Sequence, residues 1–290
     1  MIYRVRHLTI YNYEDPVSVS HHILRLTPHN SPRQTCRQSS ITITPKPPAC
    51  TPHKDYFGNT ATAFTLIEPH DRLVVEATSE LEVNAPSLPD FSASPAWEKV
   101  RDSLPHDRTG EALNAFQFVF DSNRIAIRPE LAAYARDSFS PDRPLLEAAL
   151  DLTRRINQDF RFDNKATEVS TPVETFFEKR RGVCQDFAHL QIGCMRSLGL
   201  PARYVSGYLR TVPASGQPRL VGADASHAWC AVWSPGAGWV DFDPTNNCVP
   251  SDGHITVAQG RDYSDVSPIY GVLLGGARHT LDTGVDVIPV

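Results

Sequence analysis

Lys179-Arg180-Arg181-Gly182-Val183-Cys184-Gln185-Asp186-Phe187-Ala188-His189-Leu190 closes one helix and opens another. The basic run suits a helix carboxy terminus, and Gly182 stands where a left-handed residue would end it. Thr171 to Glu178 is the short helix being closed, since Pro172 fits its first turn and Glu174 complements its partial positive charge. Beyond the break, Phe187, Leu190, Cys194 and Leu198 recur at intervals of three and four, an apolar stripe that reaches Gly199 and stops before Pro201. Cys184 therefore opens a buried helix, where unpaired backbone N–H groups and the helix dipole favour a thiolate and can stabilise an oxyanion. Cys194, on the inward stripe and far from that positive end, is expected to be an inert packing thiol.

A nucleophilic thiolate needs a base. Tyr204 to Leu209 has strand composition and leads into a loop containing Pro213, Gly216 and Pro218. A second strand follows in Ser226-His227-Ala228-Trp229-Cys230-Ala231-Val232-Trp233. Alternation puts His227, Trp229, Ala231 and Trp233 on one face, and Ala228, Cys230 and Val232 on the other. Ser234 to Gly238 is a turn of hairpin length, and Trp239-Val240-Asp241-Phe242-Asp243 is the return strand, stopped by Pro244. The hairpin sets Asp243 opposite or diagonal to His227, while Asp241 lies nearer the turn and faces Ala231 or Trp229. A carboxylate at that point fixes the imidazole tautomer and stabilises its charged form. Cys184, His227 and Asp243 then make a nucleophile, base and orienter set.

Plainer readings account for the neighbours. Asp186 near a helix start is explained by the dipole, and His189 projects from a different side of the helix from Cys184. Zinc ligation by Cys184, His189, His227 and Cys230 is disfavoured, because His227 and Cys230 point to opposite faces of one strand and no C-x-x-C pair exists. No metal or cofactor is expected.

Four blocks of this sequence resemble the core of the bacterial transglutaminase-like family: Arg181 to Leu190, Gly199-Leu200-Pro201-Ala202-Arg203-Tyr204-Val205-Ser206-Gly207-Tyr208, Ser226-His227-Ala228-Trp229, and Gly238 to Thr245. The resemblance implies an α+β fold, with a β-rich amino-terminal module followed by a papain/transglutaminase-like core. In that core the nucleophile helix packs on an antiparallel sheet carrying the histidine and aspartate. It also implies Cys184 as nucleophile, His227 as base and Asp243 as third member. The chemistry implied is cleavage of a carboxamide or peptide bond in a protein or peptide through a thioester, with acyl transfer to an amine or to water. Hydrolysis alone, by a cysteine peptidase or amidase, is the runner-up. A catalytically idle interaction module is the reading from another class, and the intact trio argues against it.

Residues 1–85 read as the β-rich module, with strands at Tyr3 to Tyr13, Ser20 to Leu26, Ser39 to Thr44 and Thr60 to Leu66. The clearest is the alternating run Leu73, Val75, Ala77, Ser79, Leu81 and Val83. Residues 86–144, broken by Pro86, Pro89, Pro95 and Pro105, read as a linker with edge helices at Trp97 to Ser103 and Glu130 to Asp137. Residues 145–290 read as the catalytic core, opening on a helix from Leu145 to Asn157. Its carboxy-terminal strands, Thr280 to Val287 among them, either complete the core sheet or pack on the amino-terminal module. A formal charge of −5 with scattered basic residues argues against a nucleic-acid partner. Polar residues interrupt every apolar stretch of Met1 to Pro16, so neither a membrane span nor a signal peptide is expected there. Six dispersed cysteines are too few for a disulfide framework, and a cytoplasmic protein with free thiols is expected.

Overall fold

The computed structural model describes residues 1–211 and 224–290 of the chain, so the loop expected at Pro213, Gly216 and Pro218 lies outside the described residues. Its amino-terminal part is built on β1 (Ile2–Leu24), β2 (Gln34–Thr44), β3 (Cys50–Lys54), β4 (Thr60–Leu66) and β5 (His70–Val83). The alternation read in β5 holds: Leu73, Val75, Ala77, Ser79, Leu81 and Val83 are all buried. Two strands expected at Tyr3 to Tyr13 and Ser20 to Leu26 are one. Asp15 and Pro16 sit in a bulge, where the register against β5 shifts between Asn12 and Val17, and a bulge tolerates the missing proline N–H.

The middle of the chain forms α1 (Trp97–Ser103), α2 (Gly110–Phe116), α3 (Pro129–Arg136), α4 (Leu145–Asp159), β6 (Arg161–Phe162), α5 (Val173–Lys179), β7 (Arg181–Gly182) and α6 (Cys184–Ser197). Residues 86–144, expected to be a linker with edge helices, carry helices at both expected places, α1 and α3, and form a wall of the main core. Trp97, Val100, Leu104, Ala112, Ala115, Ile125 and Leu131 belong to the same buried cluster as α4 and α6. Prolines cut this stretch into short helices, but each keeps an apolar face to bury. Asn84 to Asp90 and Asp121 to Arg128 run without regular structure.

β8 (Ala202–Leu209), β9 (Ala225–Ser234), β10 (Gly238–Phe242) and β11 (His254–Gly260) form an antiparallel sheet in the order β10-β9-β8-β11. Helix α6 lies on one face, its core shared with Ala228, Cys230 and Val232. Trp229 and Ala231 pack on the other face with Val205 and Trp239. Trp233, at the hairpin end, joins the helical cluster instead of the face that alternation gave it. Gly207 is needed on β8 because any Cβ there would run into Ile255 O and the Trp229 ring.

After α7 (Tyr263–Val266), β12 (Ile269–Gly275) and β13 (His279–Pro289) leave the core and pair with β1. β4 and β5 run in succession along one edge of β1, and β12 and β13 along the other. Of the two places open to the carboxy-terminal strands, they take the amino-terminal sheet. The physical reason is the seam: Val285 and Val287 bury themselves with Tyr3, Val5, Leu81 and Val83 of that sheet and Tyr208, Ile255 and Val257 of the core sheet.

This seam contains His7, whose Nδ1 lies 2.9 Å from Tyr208 Oη, and burial pushes its ring down to about 4. Burial likewise takes His189, in the core, to about 3. Unfolding returns such rings to about 6.5, so the unfolded chain binds protons that the folded chain refuses. Stability is therefore expected to fall as pH drops from about 6.5 towards about 4. Thermal melts followed by circular dichroism across that interval check this; an unchanged midpoint would show that neither ring is buried neutral.

Candidate active site

The break before α6 is built differently from its sequence reading. Arg180, not Gly182, takes the left-handed conformation, with φ 58°. Its guanidinium lies 4.5 Å from the Phe160 ring centroid and 4.6 Å from that of Phe177, contacts that offset the strain. Gly182 is required for space, because a Cβ there would meet the Asp186 carboxylate and come 2.7 Å from Phe176. Asp186 has a stronger structural duty than a dipole interaction. Its Oδ2 accepts from Val183 N–H at 2.8 Å and from Thr167 Oγ1 at 2.6 Å, tying down the turn that presents Cys184. His189 Nε2 accepts from Tyr263 N–H at 3.2 Å, also a structural role.

Helix α6 is buried almost all round from Gln185 to Arg196, so its polar side chains need internal partners. Gln191 bonds Thr153, and Arg196 bonds the carbonyls of Ala202 and Arg261. These contacts fix the helix as a rigid post with half-buried Cys184 at its tip. Cys194 is fully buried, and burial pushes its thiol up far beyond the ordinary range.

The structure brings Cys184, His227 and Asp243 together. In the hairpin, Asp241 pairs with Ala231 and Phe242 with Cys230, so continuing the register puts Asp243 diagonal to His227. Asp243 lies just past β10, where its backbone bridges Cys248 in both directions. His227 Nε2 donates to Asp243 Oδ2 at 2.7 Å, and the Cys184 thiol hydrogen-bonds the same imidazole. With Nε2 engaged by the carboxylate, Nδ1 is the nitrogen left for sulfur. Asp241 turns elsewhere, with Oδ2 3.7 Å from Arg33 Nη2.

Burial alone would lower the His227 pKa, but its hydrogen bonds to Asp243 and Cys184 outweigh burial and raise it to about 10. Burial would raise Asp243, yet the bonds from His227, His254 and Asn246 hold its carboxyl well below the usual carboxylate range. The pair is thus an imidazolium beside a carboxylate at neutral pH.

Two residues here escaped the sequence reading. Asn246 Nδ2 donates to Asp243 Oδ2 at 2.7 Å, and His254 Nε2 approaches the same oxygen at 3.1 Å. Asn246 had a signal, three residues after Asp243 in a Pro-Thr-Asn-Asn turn. His254 had none, because β11 pairs with β8 rather than β10. Among the described residues, His227, Asp243 and His254 form a cluster with metal-ligand spacing, but each ligand atom is already spent on the others.

Residues 3–82 match the model of the bacterial transglutaminase-like N-terminal region, and residues 132–244 match that of the transglutaminase-like superfamily. An uncharacterized protein of Mycobacterium tuberculosis is 39% identical over 292 residues, covering 99% of this chain and 92% of its own length. A protein-glutamine gamma-glutamyltransferase of Pseudomonas aeruginosa is 32% identical over 124 residues, which is 41% of this chain and 18% of that protein. A crystal structure from Cytophaga hutchinsonii, provisionally described as a cysteine protease, shares the fold with a TM-score of 0.76. It is 21% identical, over 100% of this chain and 91% of that one. With both regions matched in order, this chain belongs to the bacterial transglutaminase-like family.

Proposed function

We propose that this chain is a cysteine-dependent enzyme that forms a thioester from a protein or peptide carboxamide and passes the acyl group to an amine or to water. The observation that carries this reading is His227, hydrogen-bonded to the Cys184 thiol and 2.7 Å from Asp243. Cys184 sulfur, its proton held on His227, adds to the carbonyl carbon. Negative charge then develops on the carbonyl oxygen near the first turn of α6. Asp186 and Phe187 N–H groups return to Val183 O, while that of Cys184 has no place in the helix ladder and is the donor best placed for the oxyanion. Collapse breaks the C–N bond, and His227 delivers its proton to the departing nitrogen. Asp243 keeps the imidazole oriented throughout. An incoming amine or water, deprotonated by His227, then releases the acyl group and restores the thiolate.

The local match to a protein-glutamine gamma-glutamyltransferase supports a glutamine carboxamide as acyl donor. Six unpaired cysteines support a reducing, cytoplasmic compartment, and no described helix is long and apolar enough to cross a membrane. The test is mass spectrometry of glutamine-containing peptides incubated with the protein and a primary amine. An acyl adduct on Cys184 with an amine-linked product supports transfer, and an adduct with deamidated or cleaved peptide supports hydrolysis. Turnover without any adduct on Cys184 would overturn the reading.

A further inference from the structure

The amino-terminal module grips the core at one place above others, the strand that carries His254. Arg33, in the loop before β2, donates Nη1 to Ser251 O at 3.0 Å and Nη2 to His254 O at 3.2 Å. The Ser251 to His254 turn is closed by His254 N–H on Ser251 O. Along the outer edge of β11, Gln34 takes both backbone groups of Thr256, donating to its O at 2.7 Å and accepting from its N–H at 2.9 Å. Asn59 does the same to Gln259, at 2.8 and 2.9 Å. Two amide side chains thus stand in for a missing neighbour strand, and satisfy an edge that would otherwise be open.

We infer that His254 is a positioning residue for the Cys184 site, and that the amino-terminal module acts on that site by holding His254 in place through Arg33. The inference rests on the enzyme reading above. Asp243 Oδ2 receives three side-chain donors, His227, Asn246 and His254, while Oδ1 receives the backbone N–H groups of Thr245 and Asn246. The Oδ1 bonds and Asn246 come from the turn that follows Asp243 itself. Besides His227 itself, His254 is the donor that arrives from a separate strand, so it references the carboxylate to the rest of the molecule. The Trp229 ring stands edge-on to His254, with centroids 5.3 Å apart, and limits how far the imidazole can turn. A carboxylate free to rotate would let His227 drift from the line between Asp243 and sulfur, and misplacement by about 1 Å can cost about a hundredfold in rate.

The titratable groups facing this carboxylate are His227 and, behind it, Cys230 from β9, His254 from β11 and Cys248 from the segment that bridges Asp243, with Cys184 of α6 beyond His227. Alkylation of Cys184 by iodoacetamide, read by peptide mass across pH, reports that unit without needing a substrate. His254→Ala is expected to slow alkylation near pH 6 by between about tenfold and about a hundredfold, with the rates converging at high pH where every thiol is ionised. His254→Gln, whose amide can still donate to Asp243, should recover most of the loss. Arg33→Ala should shift the profile the same way by less, and should add little when combined with His254→Ala. A wild-type profile in folded His254→Ala would overturn the positioning role, and full additivity of the two changes would overturn the route through Arg33. Wild-type protein whose Cys184 is alkylated no faster than an ordinary exposed thiol would overturn the enzyme reading, and this inference with it.

Discussion

Cys184→Ala is expected to abolish turnover while leaving the protein folded, with a change in stability below about 1 kcal/mol. The residue is half-buried at the tip of α6, whose position is fixed by Asp186, Gln191 and Arg196 rather than by sulfur. Cys184 is the thiol that meets the His227 ring, whereas Cys248 meets Asp243 through its backbone. Cys194→Ala gives the opposite pattern: loss of a fully buried sulfur leaves a small cavity and costs about 1–2 kcal/mol, with activity per folded molecule unchanged. Steady-state kinetics and denaturant melts on both variants separate the cases. Turnover retained by Cys184→Ala would remove the nucleophile assignment altogether.

Asp243→Asn is expected to lower turnover by roughly 10²- to 10⁴-fold, because an amide can hold the wrong imidazole tautomer and cannot balance its charge. Asp241→Asn should have a small effect, since that carboxylate pairs across from Ala231 and leans towards Arg33. The pH dependence distinguishes orientation from simple damage. Asp243 and Cys184 raise His227 to about 10, above its unfolded value, so the resulting stabilisation is complete below about 6.5 and is lost as pH rises through about 10. Removing the carboxylate's charge should therefore destabilise the protein most at neutral pH, with the gap to wild type narrowing towards pH 10. If Asp241→Asn proves the more damaging change in folded protein, the third-member assignment is wrong.

Cys184, His227 and Asp243 could be read from the sequence because each is placed by a local rule. A helix start positions the first, strand alternation the second and a hairpin register the third. The α+β class was legible for the same reason, as period-two runs precede the three-and-four spacing of α6. What could not be read depends on long-range pairing. His254 reaches Asp243 only because β11 sits beside β8, and β12 and β13 return to β1 across almost the whole chain. The apolar faces of residues 97–131 were hidden by prolines that shorten each helix below a clear period. Gly182 was read correctly as a break but for the wrong cause, since what it avoids is a collision with Asp186 and Phe176 rather than a forbidden backbone angle.

The pairing of β1 with β12 and β13 also sets an order of assembly during synthesis. β1 is made about 250 residues before β12 and β13, so one of its edges stays open until residues 269–289 emerge, and Tyr3 finds its partner in Pro289. At ribosomal speeds of about 5–20 residues per second, that edge waits on the order of 10–50 s. Contacts so distant in sequence are slow to form, and an unpaired strand edge is open to mispairing in the meantime. Arg33 is held earlier, because β2 beside it pairs with β5, which is complete at Val83, whereas the other edge of β1 must wait. The amides along that edge of β1 should thus become protected from exchange in a nascent chain only once β12 and β13 have docked.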